Sequence, residues 1–211
     1  DGELDIEILE KGQLLTKVSS RAEQKKCHLE ISLPQAKRWM PEQPQLYLCR
    51  VTFGEDQREE RFGIREIRCD AQNGFCINGK RIILRGACIH HDNGLACAYD
   101  YAEYRKIRIL KENGYNAIRS AHNPCSKAML RACDELGMLV LDEYVDVWYI
   151  HKTKYDYADR VKQNYETDLK AMTDKDYNHP SVVMYSIGNE VSETAQKKGI
   201  ELCGKMTQKL H

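Results

Sequence analysis

An amide and a carboxylate, Asn189 and Glu190, close a nearly continuous apolar run that begins at Val182. Such a run is typical of a strand that is buried on both faces, as in a parallel sheet. Burying an acid at the end of a strand costs free energy, and this end of the strands carries the chemistry in parallel α/β folds. Asn189 and Glu190 are therefore candidates for hydrogen bonding and acid–base catalysis, unless they cap the next helix or lie in a solvated loop.

The chain from residue 81 onward alternates between short apolar runs and amphipathic segments. An amphipathic helix is predicted after each of four strands, which cover residues 81–84, 117–120, 138–141 and 182–187. Asp100 with Glu103 forms a candidate capping box for the first helix, and Ser126 is a candidate N-cap for the second. Four consecutive β–α units predict a parallel sheet, either open and doubly wound or half of a (β/α)8 barrel. No Gly-x-Gly-x-x-Gly follows the first strand, so nucleotide binding has no support.

Polar side chains follow all four predicted strands at the rim where their carboxyl ends face the same way. They are His90, His91, Asp92, Arg119, His122, Asn123, Asp142, Glu143, Asp146, Trp148, Asn189 and Glu190. Carboxylates, imidazoles, amides and an indole together suit a sugar site. Each also has a structural interpretation: the histidines as loop residues, Asn123 as a turn, Trp148 as loop packing, and an acid as a buried partner of Arg119 or Arg85. Their presence at the same end of every strand favours a site.

Residues 1–68 show the apolar–polar alternation that is typical of antiparallel strands. The predicted strands contain Leu4 to Ile8, Leu29 to Leu33, Tyr47 to Phe53, and Phe62 to Ile64. We predict an immunoglobulin-like β-sandwich over residues 1–68, with its first strand upstream of this chain. The pair Asn78-Gly79 predicts a tight hairpin after it.

The charge balance and the cysteines limit the partners and the compartment. Lys plus Arg and Asp plus Glu both number 32, so no nucleic acid or membrane partner is indicated. No apolar run approaches the length of a membrane span. The nine cysteines form no Cys-x-x-Cys pair and several lie in apolar patterns, which favours reduced thiols in a cytoplasmic protein. The chain has no initiating Met and no signal-like start, which predicts a piece of a longer protein.

Five motifs follow one another along the chain: Asn78-Gly79-Lys80, Leu84-Arg85-Gly86 with His90-His91-Asp92, Asn116-Ala117-Ile118-Arg119 with His122-Asn123-Pro124, Asp142-Glu143 with Asp146 and Trp148, and Asn178-His179-Pro180-Ser181 through Asn189-Glu190. Together they resemble the catalytic domain of glycoside hydrolase family 2, in particular its bacterial β-galactosidase-like members. Upstream, Pro41 to Tyr47 and Phe62 to Arg65 resemble the end of the family's immunoglobulin-like domain. The resemblance therefore spans most of residues 39–191.

The resemblance implies a retaining β-glycosidase that hydrolyses β-galactosides or related glycosides, with the first half of a TIM barrel over residues 69–211. It implies that Glu190 is the general acid/base and that Asn189 bonds the sugar 2-hydroxyl. Arg119 is expected to hold a rim carboxylate in place. The full set of expected substrate-binding residues is Asn189, His90, His91, Arg119, His122, Asn123, Asp146 and Trp148.

The family's nucleophile is a second glutamate on the seventh barrel strand, beyond His211. The isolated chain is therefore expected to be inactive, and its open half-barrel is expected to self-associate. The loop after the third strand lacks the acid-x-His arrangement of the magnesium-dependent members, so we predict no metal; no other cofactor is implied. Two further hypotheses stay open: a non-catalytic carbohydrate-binding or scaffold module, and a metal-dependent hydrolase that uses His90, His91 and His122.

Overall fold

The computed structural model describes residues 2–211, which form two compact units. The first unit extends to Ile82 and also includes Asn178–Pro180; the second consists of Ile83–Tyr177 and Ser181–His211. The sheets of the first unit are antiparallel, and the sheet of the second is parallel.

A four-stranded antiparallel sheet makes up most of the first unit. Its strands are β1 Gly2–Glu10, β2 Gln13–Ala22, β3 Tyr47–Phe53 and β4 Asp56–Phe62, and they lie in the order β2-β1-β3-β4. The alternation predicted near the N-terminus is confirmed, because Leu4 and Ile8 are buried in β1. Two-residue turns join β1 to β2 and β3 to β4. Gly12 (φ 83°) and Gly54 (φ 59°) supply the left-handed conformations that such turns need.

The strand predicted over Leu29 to Leu33 does not form. Residues 27–33 have irregular backbone, and Leu29 is exposed. The neighbours of β1 are β2 and β3, and neither sheet edge, β2 or β4, pairs with this segment, so its backbone gains no ladder of hydrogen bonds. Conversely, the sequence pattern missed β2, because the adjacent Leu14 and Leu15 break the apolar–polar alternation; both side chains are exposed.

A small three-stranded antiparallel sheet ends the first unit. Its strands are β5 Ile67–Asp70, β6 Gly74–Ile77 and β7 Lys80–Arg81. The hairpin predicted at Asn78-Gly79 is confirmed, since these residues join β6 to β7 with φ values of 51° and 80°. Asn78 also donates a hydrogen bond to the carbonyl of buried Trp39 (2.9 Å) and accepts one from the backbone N–H of Glu66 (2.9 Å). The turn residue therefore ties the hairpin to the interior of its own unit.

The second unit is a run of β–α units. Its elements are β8 Gly86–Ile89, α1 Asp100–Glu112, β9 Ala117–Ser120, α2 Lys127–Leu136, β10 Leu139–Glu143, α3 Ala158–Asp176, β11 Val182–Ser186 and α4 Lys197–Leu210, with short 3-10 helices at Gly94–Ala96 and Ser192–Ala195. The four parallel strands lie in the order β11-β10-β9-β8, so every strand is paired with its neighbour in sequence. That order is the one found in a (β/α)8 barrel, whereas a doubly wound sheet reverses direction at a switch point.

Two local predictions in this unit are wrong. The first parallel strand is β8 and not residues 81–84. Lys80–Arg81 pairs with β6 instead. The Asn116 side chain accepts a hydrogen bond from the Arg85 N–H (2.7 Å) and donates one to the Ile83 carbonyl (2.9 Å), so these backbone groups are bonded outside the sheet. Helix α1 has Tyr99 and not Asp100 as its N-cap residue. The buried Glu103 carboxylate accepts a hydrogen bond from Asn93 (2.7 Å), so it does not close a capping box.

The boundaries of α2 follow the predicted signals. The Ser126 hydroxyl accepts a hydrogen bond from the backbone N–H of Met129 (3.1 Å), and Gly137 ends the helix in the left-handed conformation. Helices α1 and α2 cover one face of the sheet, where Ile118 and Val140 belong to a buried apolar cluster. No helix within residues 2–211 combines the length and the apolarity that crossing a membrane requires. The nine cysteines are all free thiols.

Candidate active site

Glu143, the last residue of β10, is the centre of the polar network at the rim. Its side chain has no exposed surface, yet it is surrounded by donors. Arg119 donates from Nε to Oε2 (2.9 Å) and from Nη2 to Oε1 (3.0 Å), and the Ser186 hydroxyl donates to Oε2 (2.6 Å). The Nδ1 atom of His122 lies 2.9 Å from Oε1. A buried carboxylate requires such pairing.

Strand register brings these side chains together. In the parallel ladder, Leu141 of β10 lies beside Arg119 of β9, and Glu143 lies beside Ser186 of β11. Because side chains two residues apart share one face of a strand, Glu143 projects on the same side as Leu141 and so meets both neighbours. Of the structural interpretations above, the pairing of a rim acid with Arg119 is therefore the one that the structure shows for Glu143.

Asn189 is held at both atoms of its side-chain amide. Its Oδ1 accepts a hydrogen bond from Arg119 Nη2 (2.8 Å), and its Nδ2 donates to Asp146 Oδ1 (2.8 Å). Burial opposes ionisation of Asp146, but hydrogen bonds from Lys152 and Asn189 outweigh it and lower the pKa of that carboxyl. Helix α4 begins only after Gln196, and Asn189 caps neither it nor the preceding 3-10 helix. Its role as a helix cap is therefore excluded.

Glu190 is presented to solvent beside this fixed amide. Its side chain is exposed, and within the described chain it forms no hydrogen bond or ion pair. Its φ angle is 45°, in the left-handed region that a residue with a Cβ adopts at a cost of about 1–3 kcal/mol. A strained residue in the loop after β11 that carries an unengaged carboxylate is a candidate for chemistry.

His90 adds a second imidazole to the rim. Its ring packs edge-on against that of His122, with 5.2 Å between the ring centroids. His90 also lines a cavity of about 540 Å³ between β8 and α1, together with Asp92, Tyr101 and Lys106. The structure thus brings together His90, Arg119, His122, Asp146 and Asn189 from the predicted set, with Glu190 next to Asn189 in the chain.

Three predicted site residues lie apart from this network. Trp148 is 1% exposed, so the expectation that it lines a sugar pocket is wrong: its ring packs in an apolar cluster, and its indole N–H donates to the Ile187 carbonyl (2.7 Å). The Nε2 atom of His91 lies 3.3 Å from the Pro124 carbonyl oxygen. Asn123 lines a different cavity of about 450 Å³, beside α3.

The donor set does not resemble a metal site. Among residues 2–211, no three His, Cys, Asp or Glu side chains converge as metal ligands would. His91 faces Pro124, so the three histidines of the metal-dependent hypothesis do not meet. The metal-dependent hydrolase therefore has no support from the geometry.

Four further residues organise the rim, and the sequence pointed to them weakly. Ser186 interrupts an apolar strand with a hydroxyl, which was the available signal for it. Lys152 donates to the Asn189 carbonyl (2.5 Å), and buried Glu193 accepts hydrogen bonds from the N–H groups of Tyr149 and Ile150 (2.8 Å each). Glu143 was visible as a rim acid, but its central position depends on register.

The family models agree with this architecture. The model described as "Glycosyl hydrolases family 2, TIM barrel domain" matches residues 69–209, and "Glycosyl hydrolases family 2" matches residues 2–65. The chain belongs to glycosyl hydrolase family 2. The predicted fold class, an immunoglobulin-like domain followed by part of a TIM barrel, is confirmed, and the open doubly wound sheet is excluded.

Relatives of this family 2 chain are considerably longer. A β-galactosidase of Bacteroides ovatus is 39% identical over 171 residues, which cover 78% of this chain and 20% of that protein. A β-glucuronidase of Streptococcus agalactiae is 33% identical over 165 residues, or 69% of this chain and 27% of that protein. The crystal structure of a glycosyl hydrolase family 2 member from Bacteroides cellulosilyticus matches with a TM-score of 0.88 and 38% identity, covering 99% of this chain and 28% of that one. The chain thus spans 20–28% of the length of these proteins.

Proposed function

We propose that the full-length protein is a retaining β-glycosidase that acts on β-galactosides or related β-glycosides, with Glu190 as its general acid/base. The observation that carries this proposal is the Asn189–Glu190 pair: an amide fixed at both ends, followed by an exposed carboxylate on strained backbone. Membership of family 2 and the named activities of its relatives support it.

The free hydrogen-bonding capacity at the rim suits a sugar. An amide nitrogen carries two hydrogens, and Asn189 uses one on Asp146, which leaves the other for the oxygen of a sugar 2-hydroxyl. His122 faces an acceptor-only carboxylate through Nδ1, so that nitrogen carries the hydrogen and Nε2 can accept from a sugar hydroxyl. Arg119 and Glu143 pair with each other and also bond Asn189 and His122, so they hold these two groups in position.

In the proposed reaction Glu190 protonates the leaving-group oxygen while a second carboxylate attacks the anomeric carbon. Glu190 then removes a proton from the water that releases the sugar. The two carboxyl groups must lie about 5 Å apart. We place the second one on a segment outside these 211 residues, as the resemblance implies, and so expect the isolated chain to be inactive.

Leaving-group dependence tests the role of Glu190. In the full-length protein, Glu190→Gln should reduce kcat/KM for a methyl glycoside by about 10²–10⁴-fold. The same substitution should reduce kcat/KM for the 2,4-dinitrophenyl glycoside far less, because dinitrophenolate leaves without protonation. Both substrates carry the same sugar, either galactose or glucuronic acid. Glu201→Gln, at an exposed position on α4, is the matched control and should behave as wild type.

Two outcomes would contradict the proposal. Equal losses on both substrates would remove Glu190 from the acid role. A full-length protein that binds a galactoside or glucuronide in calorimetry but hydrolyses neither would favour the non-catalytic carbohydrate-binding module instead.

A further inference from the structure

Hydrogen bonds join two rim loops next to the candidate acid, Glu190, and we call this set of bonds the latch. Residues 144–157 follow β10, and residues 187–196 follow β11. Three ties join them: the Trp148 indole to the Ile187 carbonyl, the Lys152 ammonium to the Asn189 carbonyl, and the Glu193 carboxylate to two backbone N–H groups of the first loop. The second tie falls on the peptide group that joins Asn189 to Glu190.

The Lys152 ammonium uses all of its donors in this latch. It donates to the Asn189 carbonyl (2.5 Å), the Asp146 carbonyl (2.9 Å) and Asp146 Oδ1 (2.9 Å). An ammonium has three hydrogens, so none remains unused. Asp146 Oδ1 in turn accepts from Asn189 Nδ2 (2.8 Å), which closes a ring through the Asn189 side chain and backbone.

We propose that Lys152 is a positioning residue for Glu190, acting through the Asn189–Glu190 peptide; this inference rests on the proposed function. Fixing the Asn189 carbonyl fixes the plane of the peptide from which Glu190 departs. Glu190 holds a φ angle of 45° there, and such a conformation persists only where the surroundings over-determine it. Charge-assisted hydrogen bonds from an ammonium are strong enough to do so.

The backbone of Lys152 is anchored independently of its side chain. Asp156 Oδ2 accepts hydrogen bonds from the N–H groups of Lys152 (2.7 Å) and Thr153 (2.9 Å), and Asp156 Oδ1 accepts from Ala158 (3.1 Å). Removing the ammonium therefore leaves the loop path supported by Asp156, Glu193 and Trp148. A substitution of the Lys152 side chain consequently tests the ammonium and not the loop.

The experiment compares Lys152→Met with Lys154→Met in the full-length protein. Lys154 lies in the same loop and is exposed, with its Nζ 5.0 Å from the centroid of the Tyr155 ring, so its substitution removes an equal charge without removing any of the three ties. Lys152→Met should lower kcat/KM for the methyl glycoside at least about tenfold more than for the dinitrophenyl glycoside. Lys154→Met should change both by less than about twofold, and Lys152→Arg, which keeps a cation, should recover part of the loss.

The ratio of the kcat/KM losses on the two glycosides separates a positioning role from simple destabilisation. A partly unfolded enzyme loses both activities in the same proportion, whereas a misplaced acid impairs only the reaction that needs protonation. In a double-mutant cycle, adding Lys152→Met to Glu190→Gln should not increase the difference between the losses on the methyl and dinitrophenyl glycosides, because the two residues act as one unit. If Lys152→Met does not fold, Lys152→Gln takes its place in the comparison.

Failure of the acid/base role of Glu190 and failure of the positioning role of Lys152 give different results. If Glu190→Gln shows no leaving-group discrimination, the proposed function fails. If Glu190→Gln discriminates and Lys152→Met does not, or if their effects are additive, only the positioning role is overturned. NMR gives a check that does not depend on activity. The chemical shift of the Trp148 indole N–H, which bonds the Ile187 carbonyl in the same loop as this peptide, should change in Lys152→Met, whereas that of Trp39 in the other unit should not.

Discussion

The Nη2 atom of the Arg119 guanidinium lies 2.7 Å from Oε2 of Glu143, whose side chain has no exposed surface. One cation on β9 thereby neutralises a buried acid on β10, and the same Nη2 atom reaches Asn189 beyond β11 (2.8 Å). Three neighbouring strand ends are joined through a single side chain. Stability and site geometry therefore depend on the same residue.

Replacing Arg119 should destabilise the protein because it leaves a buried charge without its partner. We expect Arg119→Met to lower the free energy of unfolding by about 2–4 kcal/mol, measured by urea denaturation. Arg108→Met removes an exposed ion pair with Glu112 on α1 and should cost less than about 0.5 kcal/mol. Equal effects of the two substitutions would show that burial of Glu143 does not set the cost.

Two glycines of α4 should respond to alanine with opposite signs. A Cβ at Gly199 would lie 1.9 Å from the Glu193 carbonyl oxygen, whereas a Cβ at Gly204 would meet no atom of another segment within 4 Å. Gly199→Ala should destabilise the protein by about 1–3 kcal/mol through overpacking, and Gly204→Ala should stabilise it by about 0.5–1 kcal/mol. Thermal unfolding of the two variants measures this. A stabilised Gly199→Ala would contradict the close approach.

The carboxyl of Asp176 should make the protein less stable as the pH rises from about 4 to about 7. Burial, with the Asp142 charge nearby, raises the pKa of Asp176 from 3.8 to about 7, although Lys175 opposes the shift. Between these values the native state keeps a proton that the unfolded chain has released, so raising the pH disfavours the native state.

Asp176→Asn, which resembles the protonated acid, should flatten this dependence of the unfolding free energy on pH. Asp174→Asn, at a side chain that is 63% exposed, should leave the slope unchanged. Urea titrations at pH 4, 5, 6 and 7 make the comparison. Parallel curves for Asp176→Asn and wild type would contradict the raised pKa.

The isolated 211-residue chain should self-associate. Among residues 2–211, β8 and β11 each pair with one strand only, and an unpaired strand edge is a template for another chain. Light scattering should give a mass above that of a monomer at micromolar concentration. A monomer over the whole concentration range would contradict the expectation.

The sequence alone determined where most secondary structure of the second unit lies. The strand predicted at residues 117–120 matches β9, and Ser126 and Gly137 bound α2 as their chemistry requires. These signals are local, since a cap or an apolar run acts on its own backbone. Where a pattern needed a distant partner it failed, as at Leu29 to Leu33, which no strand joins.

At the rim, the sequence pointed to the right end of the strands, and only the tertiary structure decided which side chains meet. Asn189, Arg119, His122 and Asp146 converge because parallel register aligns three strands. Trp148 turns inward to the Ile187 carbonyl, and Lys152 reaches Asn189 across two loops. Such contacts depend on register and loop path, which are set by packing over the whole unit and leave no local pattern in the chain.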